Sequence, residues 1–264
     1  MKNILLLAIL VLFASCKNNT DTKDTINYSK ESLNVTTSIY PESISKVFEA
    51  HGGLDAWNKM QGLVFEIERP EGNEKTTTAL KNRRSLIETE TFKIGFDGDN
   101  VWLKQEDSLA YKGNAKFYYN LMFYFYAMPF ILADDGINYK EVEPLVFEGK
   151  SYPGIKISYE SGIGESSEDE YVLYYDSETN QMTWLSYTVT YFSKEKSKDF
   201  RYINYSDWQT IDGLLLPETL TWYHYENNVP TTKKKDMKFT NIKLSTEKPN
   251  IDLFKIPEGA TLVE

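Results

Sequence analysis

The chain is poor in the residues that most often carry chemistry. It has 264 residues but only one cysteine, Cys16, and two histidines, His51 and His224. A lone thiol closes no internal disulfide and builds no thiolate metal site. Two histidines far apart, with no H-E-x-x-H segment, do not make a histidine zinc site. No G-x-S-x-G elbow occurs, since Gly149-Lys150-Ser151 continues into Tyr152-Pro153. Gly162-Ile163-Gly164 lacks the third glycine of a nucleotide loop. Basic residues are also outnumbered, 29 against 39 acidic, for a net charge of −10, and this field repels nucleic acid and anionic headgroups. Lys233-Lys234-Lys235 is the longest basic run and reads as a solvated hairpin tip. No nucleic-acid partner and no cofactor are therefore expected.

No apolar run is long enough to span a bilayer as a helix. The first residues still carry an address. Met1-Lys2-Asn3 is a short basic start, residues 4–13 are apolar throughout, and Ala14-Ser15 precede Cys16. This is the pattern of a secretory signal peptide over 1–15. The cysteine placed directly after Phe13-Ala14-Ser15 resembles the bacterial lipobox, which implies a diacylglycerol on Cys16 and cleavage just before it. A plain secretory peptide with a chance free thiol is the rival reading. Two or three acyl chains satisfy the need for about two lipid signals in stable anchoring. Cleavage removes Lys2 and leaves 28 basic against 39 acidic residues, or −11. Residues 16–38 are polar and read as a flexible tether. Lys17-Asn18-Asn19 lacks a compact acidic export run, which favours the outer membrane with the protein facing the periplasm.

What the chain has in quantity is aromatic residues: 19 Tyr, 14 Phe and 5 Trp. They favour strands, and no Pro-, Gly- or Ser-rich linker divides the chain, so residues 39–264 read as a single domain. Pro41-Glu42-Ser43 opens a helix with Ile44, Val47, Phe48 and Ala50 at helical spacing. His51-Gly52-Gly53 interrupts it, placing His51 at a helix end, and a second short helix covers 54–60. Strands are expected at 63–68, 76–80, 86–92, 94–96 and 101–103, with a tight turn at Asp97-Gly98-Asp99-Asn100. More strands follow at 152–159, 171–175, 182–191, 200–208, 214–225 and 238–244, joined by turns at 176–180, 211–213 and 227–228. About ten strands at short spacing predict an antiparallel meander, mainly β with a few helices. Residues 117–132 are almost all aromatic or aliphatic and predict one helix of three turns, ended near Pro129 and apolar on nearly every side.

Chemistry-bearing alternatives are thin. The Asp97 turn fails the spacing of a calcium loop. Glu165, Glu168, Asp169 and Glu170 could hold a cation or pair as acid and base with separated pKa values, but also read as a solvated loop before a strand.

Two hairpin motifs and one helical opening resemble a known group. Phe96-Asp97-Gly98 followed by Val101-Trp102, and Asp212-Gly213-Leu214-Leu215-Leu216-Pro217 before a strand, are similar to motifs of the LolA/LppX-like superfamily of lipoprotein carriers. Ala50-His51-Gly52-Gly53-Leu54-Asp55-Ala56-Trp57 is similar to a helical opening in related Bacteroidetes lipoproteins. The resemblance runs over about residues 42–260 in order of elements. It implies a curved antiparallel sheet, an open half-barrel, with helices against the concave face and an acyl chain or other apolar ligand between them. It carries over no catalytic residue, so an enzyme is not expected. The lipidated start sets the chain apart from the freely diffusing carrier of that group and points to a receptor or end-station binder. Trp102, Trp184 and Trp222 are candidate wall residues; Phe123, Phe125 and Phe130 are candidates in the cover. Each also suits a plain packed core. The rival function is an interaction role with a fully packed interior and a protein partner on a sheet edge. A hydrolase using the acidic loop with His51 or His224 is a third reading.

Overall fold

Alternating apolar positions dominate the chain from residue 62 onward, and the computed structural model shows them as one continuous antiparallel sheet. It describes residues 39–107, 110–159 and 168–263. The expected signal segment 1–15, Cys16, the tether 16–38, Gly162-Ile163-Gly164 and Glu165 lie outside the described residues.

Thirteen strands are present among the described residues. The first meander holds β1 (Gly62–Ile67), β2 (Glu74–Ala79), β3 (Ser85–Glu88), β4 (Phe92–Phe96) and β5 (Val101–Gln105). The second holds β6 (Ile137–Phe147), β7 (Lys150–Tyr159), β8 (Tyr171–Tyr175), β9 (Met182–Tyr187), β10 (Arg201–Ile211), β11 (Leu214–Glu226) and β12 (Val229–Ser245), and β13 (Thr261–Val263) ends the chain. The order across the sheet is β13-β5-β4-β3-β2-β1-β12-β11-β10-β9-β8-β7-β6. Both meanders thus meet at the β1–β12 pair, from Gly62↔Ser245 to Ile67↔Phe239. The result is a mainly β, open half-barrel.

This order explains the aromatic segment. β5 and β6 are consecutive in the chain but lie near opposite edges of the sheet. Their connection must cross the whole face, so its side chains are buried against strands from both meanders. The expected single helix of three turns is corrected here. The segment is broken into α3 (Ala115–Tyr118), α4 (Leu121–Tyr126) and a 3₁₀ turn, Phe130–Ala133. Asn114 caps α3, its side chain accepting from the Phe117 N–H at 2.9 Å. Asn120, at φ −129° and ψ 0°, leaves the helical region before α4, and Pro129 has no N–H to continue the ladder. One straight rod would lie along a chord of the curved sheet; the broken path follows it.

Other expectations are also revised. The run 86–92 is two strands joined at Thr89, whose Oγ1 accepts from the Phe92 N–H at 3.0 Å. β9 stops at Tyr187 rather than 191. Lys233-Lys234-Lys235 lies within β12, exposed and paired with β11, with Trp222↔Lys235 and Tyr223↔Lys233. The hairpin tip is Asn227-Asn228, both at positive φ. β6 escapes a reading by period because most of its residues are half-exposed or exposed on both faces and it contains Pro144.

The N-terminal helices sit on the same face as the aromatic segment. In α1 (Glu42–Ala50), Ile44, Val47 and Phe48 are buried at helical spacing. The helix closes with Gly53 N–H donating to Phe48 O at 2.9 Å, a left-handed exit that suits Gly52 and Gly53. In α2 (Leu54–Lys59), Trp57 is the buried residue and stacks on Phe130 at 4.7 Å and 9°.

The opposite face carries two smaller cores. One joins Ala79, Leu86, Trp102 and Phe254. Its indole lies on the bare backbone of Gly95, where an added Cβ would stand 2.2 Å from Trp102 Cζ2, and the indole N–H donates to Phe254 O at 3.0 Å. The other lies at the hairpin tips and joins Leu145, Val172, Tyr174, Trp184 and Tyr202. There Phe147 of β6 meets Tyr223 of β11 at 5.6 Å, although four strands separate them in the sheet order. The sheet therefore coils around this second aromatic core.

Candidate functional site: the layer between sheet and cover

The main core is the layer trapped between the helix-bearing face and the crossing segment. Leu63, Phe65, Ile67, Ile157, Leu173, Leu185, Ile203, Leu220 and Phe239 come from the sheet; Met122, Phe123, Phe125, Tyr126, Met128, Phe130 and Ile131 come from the cover. Fully burying one such large apolar side chain contributes about 1.5–3 kcal/mol. A helix of four or six residues cannot stand by its own hydrogen bonds. The cover is held by side chains instead.

The contacts show how. Tyr126 lies 4.8 Å from Phe65 and 4.6 Å from Phe239. Phe125 lies 4.9 Å from Tyr187 and 6.0 Å from Trp222, and its carbonyl accepts from Tyr205 OH at 2.8 Å. Trp222 is half-buried, and its indole N–H donates to Tyr187 OH at 3.1 Å. Arg83 lies 5.3 Å from the Phe123 ring centre and pairs with Asp134 past the end of the cover.

Four of the six residues singled out from the sequence therefore share one layer: Phe123, Phe125 and Phe130 in the cover and Trp222 in the wall. Trp102 and Trp184 do not join them. They sit on the opposite face, each in its own core, because neighbouring strand positions point to opposite sides. The cover residues are nearly fully buried, with Phe123 at 1 %, Phe125 at 5 % and Phe130 at 1 % exposure. These side chains are packed between the helices and the sheet.

A polar strip runs through this layer on β2. Glu74, Thr76 and Thr78 lie opposite Ile67, Phe65 and Leu63 and are all buried. Tyr118 OH donates to the Glu74 carboxylate at 2.7 and 2.9 Å and accepts from Arg69 Nη2 at 2.8 Å. Burial, and then the Glu74 charge, push the Tyr118 phenol well above its ordinary value, so it remains a donor. This network pins α3 to the start of β2. Tyr118→Phe removes the donor and should cost about 1.5–3 kcal/mol, the range for a hydrogen bond to a charged group; chemical denaturation measures it, and an unchanged midpoint would dismiss the pin. The sequence hides this strip, since alternating Glu, Thr and Thr read as a solvent-facing strand side.

The catalytic alternatives find little support in the geometry. His51 is sealed inside at the end of α1, and His224 is exposed on β11. Asp169 accepts from the Thr190 N–H and hydroxyl at 2.6 and 2.8 Å, Glu170 pairs with Lys156 at 2.7 Å and Glu168 with Lys196 at 3.9 Å. Lys156, Glu168, Asp169, Glu170 and Lys196 border a groove of about 720 Å³ beside β6 and β7, lined also by Lys140, Ser158 and Tyr159. Its polar lining is unsuited to an acyl chain. Asp97 Oδ1 accepts from the Asp99 and Asn100 N–H groups at 2.9 and 2.8 Å, as a hairpin turn requires. Among the described residues no group of three or more His, Cys, Asp or Glu is placed to hold a metal ion, and no helix is long and apolar enough to cross a membrane. The β6 edge carries Lys140, Glu141, Glu143 and Pro144 with a register shift between Val142 and Leu145. These features oppose edge-to-edge pairing and leave the partner-on-an-edge reading without support there.

Fold and layer together define a class: an open antiparallel half-barrel with a side-chain-held helical cover on one face. The model of DUF6503, a family of unknown function, matches residues 95–233, more than half of the chain, and the chain belongs to that family. No curated protein matches it. Among solved structures it is similar to a LolA superfamily protein from Nitrosomonas europaea, at 9 % identity and a TM-score of 0.45, over 77 % of this chain and 96 % of that one. It is also similar to a DUF1329 family protein from Desulfovibrio piger ATCC 29098, at 12 % identity and 0.44, over 77 % and 94 %. A third is a putative outer membrane lipoprotein-sorting protein domain from Vibrio parahaemolyticus, at 7 % identity and 0.41, over 76 % and 95 %.

Proposed function

We propose that this chain is an envelope lipoprotein, anchored through Cys16 in the outer membrane and facing the periplasm, that binds the acyl chain of a lipid or lipoprotein without turning it over. The ligand lies between the helix-bearing face and the crossing segment, in contact with Phe123, Phe125, Phe130 and Trp222. The observation that carries this reading is the construction of the cover. It is apolar towards the sheet, contains no helix longer than six residues, and rests on exchangeable ring contacts such as Phe125 with Trp222. An acyl chain replaces those contacts like for like. No cofactor is needed, and the reading involves no nucleic acid.

The test uses the full mature domain with Cys16→Ser, so that the anchor's own acyl chains do not enter the measurement. Mass spectrometry of organic extracts of the protein purified from the cell envelope should find co-purifying lipid near one molecule per chain, reduced at least fivefold in Phe125→Ala/Trp222→Ala. Lipid below about a tenth of a molecule per chain, or equal amounts in both proteins, would defeat the reading.

A further inference from the structure

Within the apolar layer, three hydroxyls have no hydrogen-bond partner among the described residues: Thr76 Oγ1, Thr78 Oγ1 and Tyr126 OH. Thr76 and Thr78 are 1 % exposed and Tyr126 is fully buried. A hydroxyl left unpaired in an apolar setting costs about 1–3 kcal/mol, so three in one neighbourhood call for an explanation.

They do share a neighbourhood. Thr76 and Thr78 are on the same face of β2, one pleat apart. Thr76 faces Phe65 across the β1–β2 pair, and the Phe65 ring lies 4.8 Å from that of Tyr126. Thr78 faces Ser85, whose hydroxyl donates to Tyr119 O at 3.2 Å. Tyr119 is the residue between α3 and the Asn120 break. Thr78 thus lies, by way of Ser85, beneath the α3–α4 break, and Thr76, by way of Phe65, lies near Tyr126, the last residue of α4.

The surrounding charges select among head groups. Glu74 shares this face of β2, directly before Thr76, and disfavours an anion. The nearby cation, Arg69, is already engaged with Tyr118 and Glu74. Three neutral donors with no free cation beside them among the described residues suit a neutral acceptor such as a carbonyl oxygen.

We propose that Thr76, Thr78 and Tyr126 form a recognition subsite for the neutral ester or amide carbonyl of an acyl lipid. The subsite rests on the acyl-chain reading above and adds the head group to it. Free fatty acid anions and plain hydrocarbons are discriminated against, the first by Glu74 and the second by the unpaired hydroxyls they leave behind.

The experiment measures displacement of the fluorescent reporter 1-N-phenylnaphthylamine from the Cys16→Ser domain by methyl palmitate, palmitate and heptadecane, which have similar chain lengths. The unmodified subsite should prefer methyl palmitate at least tenfold over each of the others. Thr76→Val/Thr78→Val/Tyr126→Phe keeps shape and removes the hydroxyls. It should lose the preference over heptadecane, retain heptadecane binding within twofold, and melt no lower than the parent. Binding of all three compounds with no preference in the parent, or a preference that survives in the triple variant, would overturn the subsite and leave the acyl-chain reading standing. Should the hydroxyls be satisfied by trapped water alone, the first of these outcomes follows. Failure of every compound to displace the reporter would instead remove the acyl-chain reading, and the subsite with it.

Discussion

Between pH 6.5 and about 4, the domain should lose about 3 kcal/mol of folding stability that a His51→Gln variant does not lose. His51 is fully buried at the end of α1, with its ring 4.7 Å from Trp208 and 6.4 Å from Phe130. Its Nδ1 lies 2.8 Å from Val47 O, which assigns the proton to Nδ1, and Nε2 finds no partner among the described residues. Burial lowers its pKa to about 4, against a small upward pull from the Val47 carbonyl. The sign follows from proton counting. An unfolded histidine takes up its proton near pH 6.5, whereas the native one does so only near 4. Within that window the unfolded state holds more protons, so stability falls as pH falls. Above the window this residue contributes no pH dependence, and below about 4 its effect is complete. Urea denaturation at pH 7.5, 5.5 and 4 measures the difference between parent and variant. Parallel curves across that range would show that the site admits a charged imidazole.

Gly52→Ala should be more damaging, at about 4 kcal/mol, combining backbone strain of about 1–2 kcal/mol with overpacking of about 1–3 kcal/mol. Gly52 has φ +103°, and an added Cβ would stand 2.2 Å from Gly213 O and 3.1 Å from Leu214 Cα. Neither can retreat, because the Leu215 N–H donates to His51 O at 2.9 Å and ties the hairpin to the helix end. Gly213→Ala is the matched control. It has φ +82° but nothing within 4 Å of the added Cβ, so it should cost only the backbone strain. Thermal melts of the two variants decide the matter; equal losses would mean that the contact adds nothing beyond strain.

This contact joins two motifs that looked unrelated along the chain. Ala50-His51-Gly52-Gly53 and Asp212-Gly213-Leu214 are separated by about 160 residues, yet each supplies what the other needs: a bare Cα on one side and a carbonyl and an N–H on the other. Each is recognisable alone as a turn or a helix end, through local backbone requirements that glycine meets. That they lock together follows only from the sheet order, which brings the β10–β11 tip to the end of α1.

The same division holds for the candidate site. Phe123, Phe125, Phe130 and Trp222 could be picked out by their apolar character and do share one layer. Trp102 and Trp184 have the same character and lie on the opposite face. Periodicity tells which residues alternate, not which side faces the helices. Thr76, Thr78 and Glu74 are the reverse case. Their polarity suggests solvent, and they are buried because the crossing segment lies over them.

Local chemistry along the chain was enough to settle the antiparallel meander, most of its turns and the apolar nature of residues 117–132, since alternation, turn glycines and missing polar groups act over a few residues. The pairing of β1 with β12 was beyond its reach, as were the path of β5 to β6 across the sheet and the breaks this path imposes on the cover. Those depend on contacts between residues far apart in the chain, formed wherever the sheet's order and curvature bring side chains face to face.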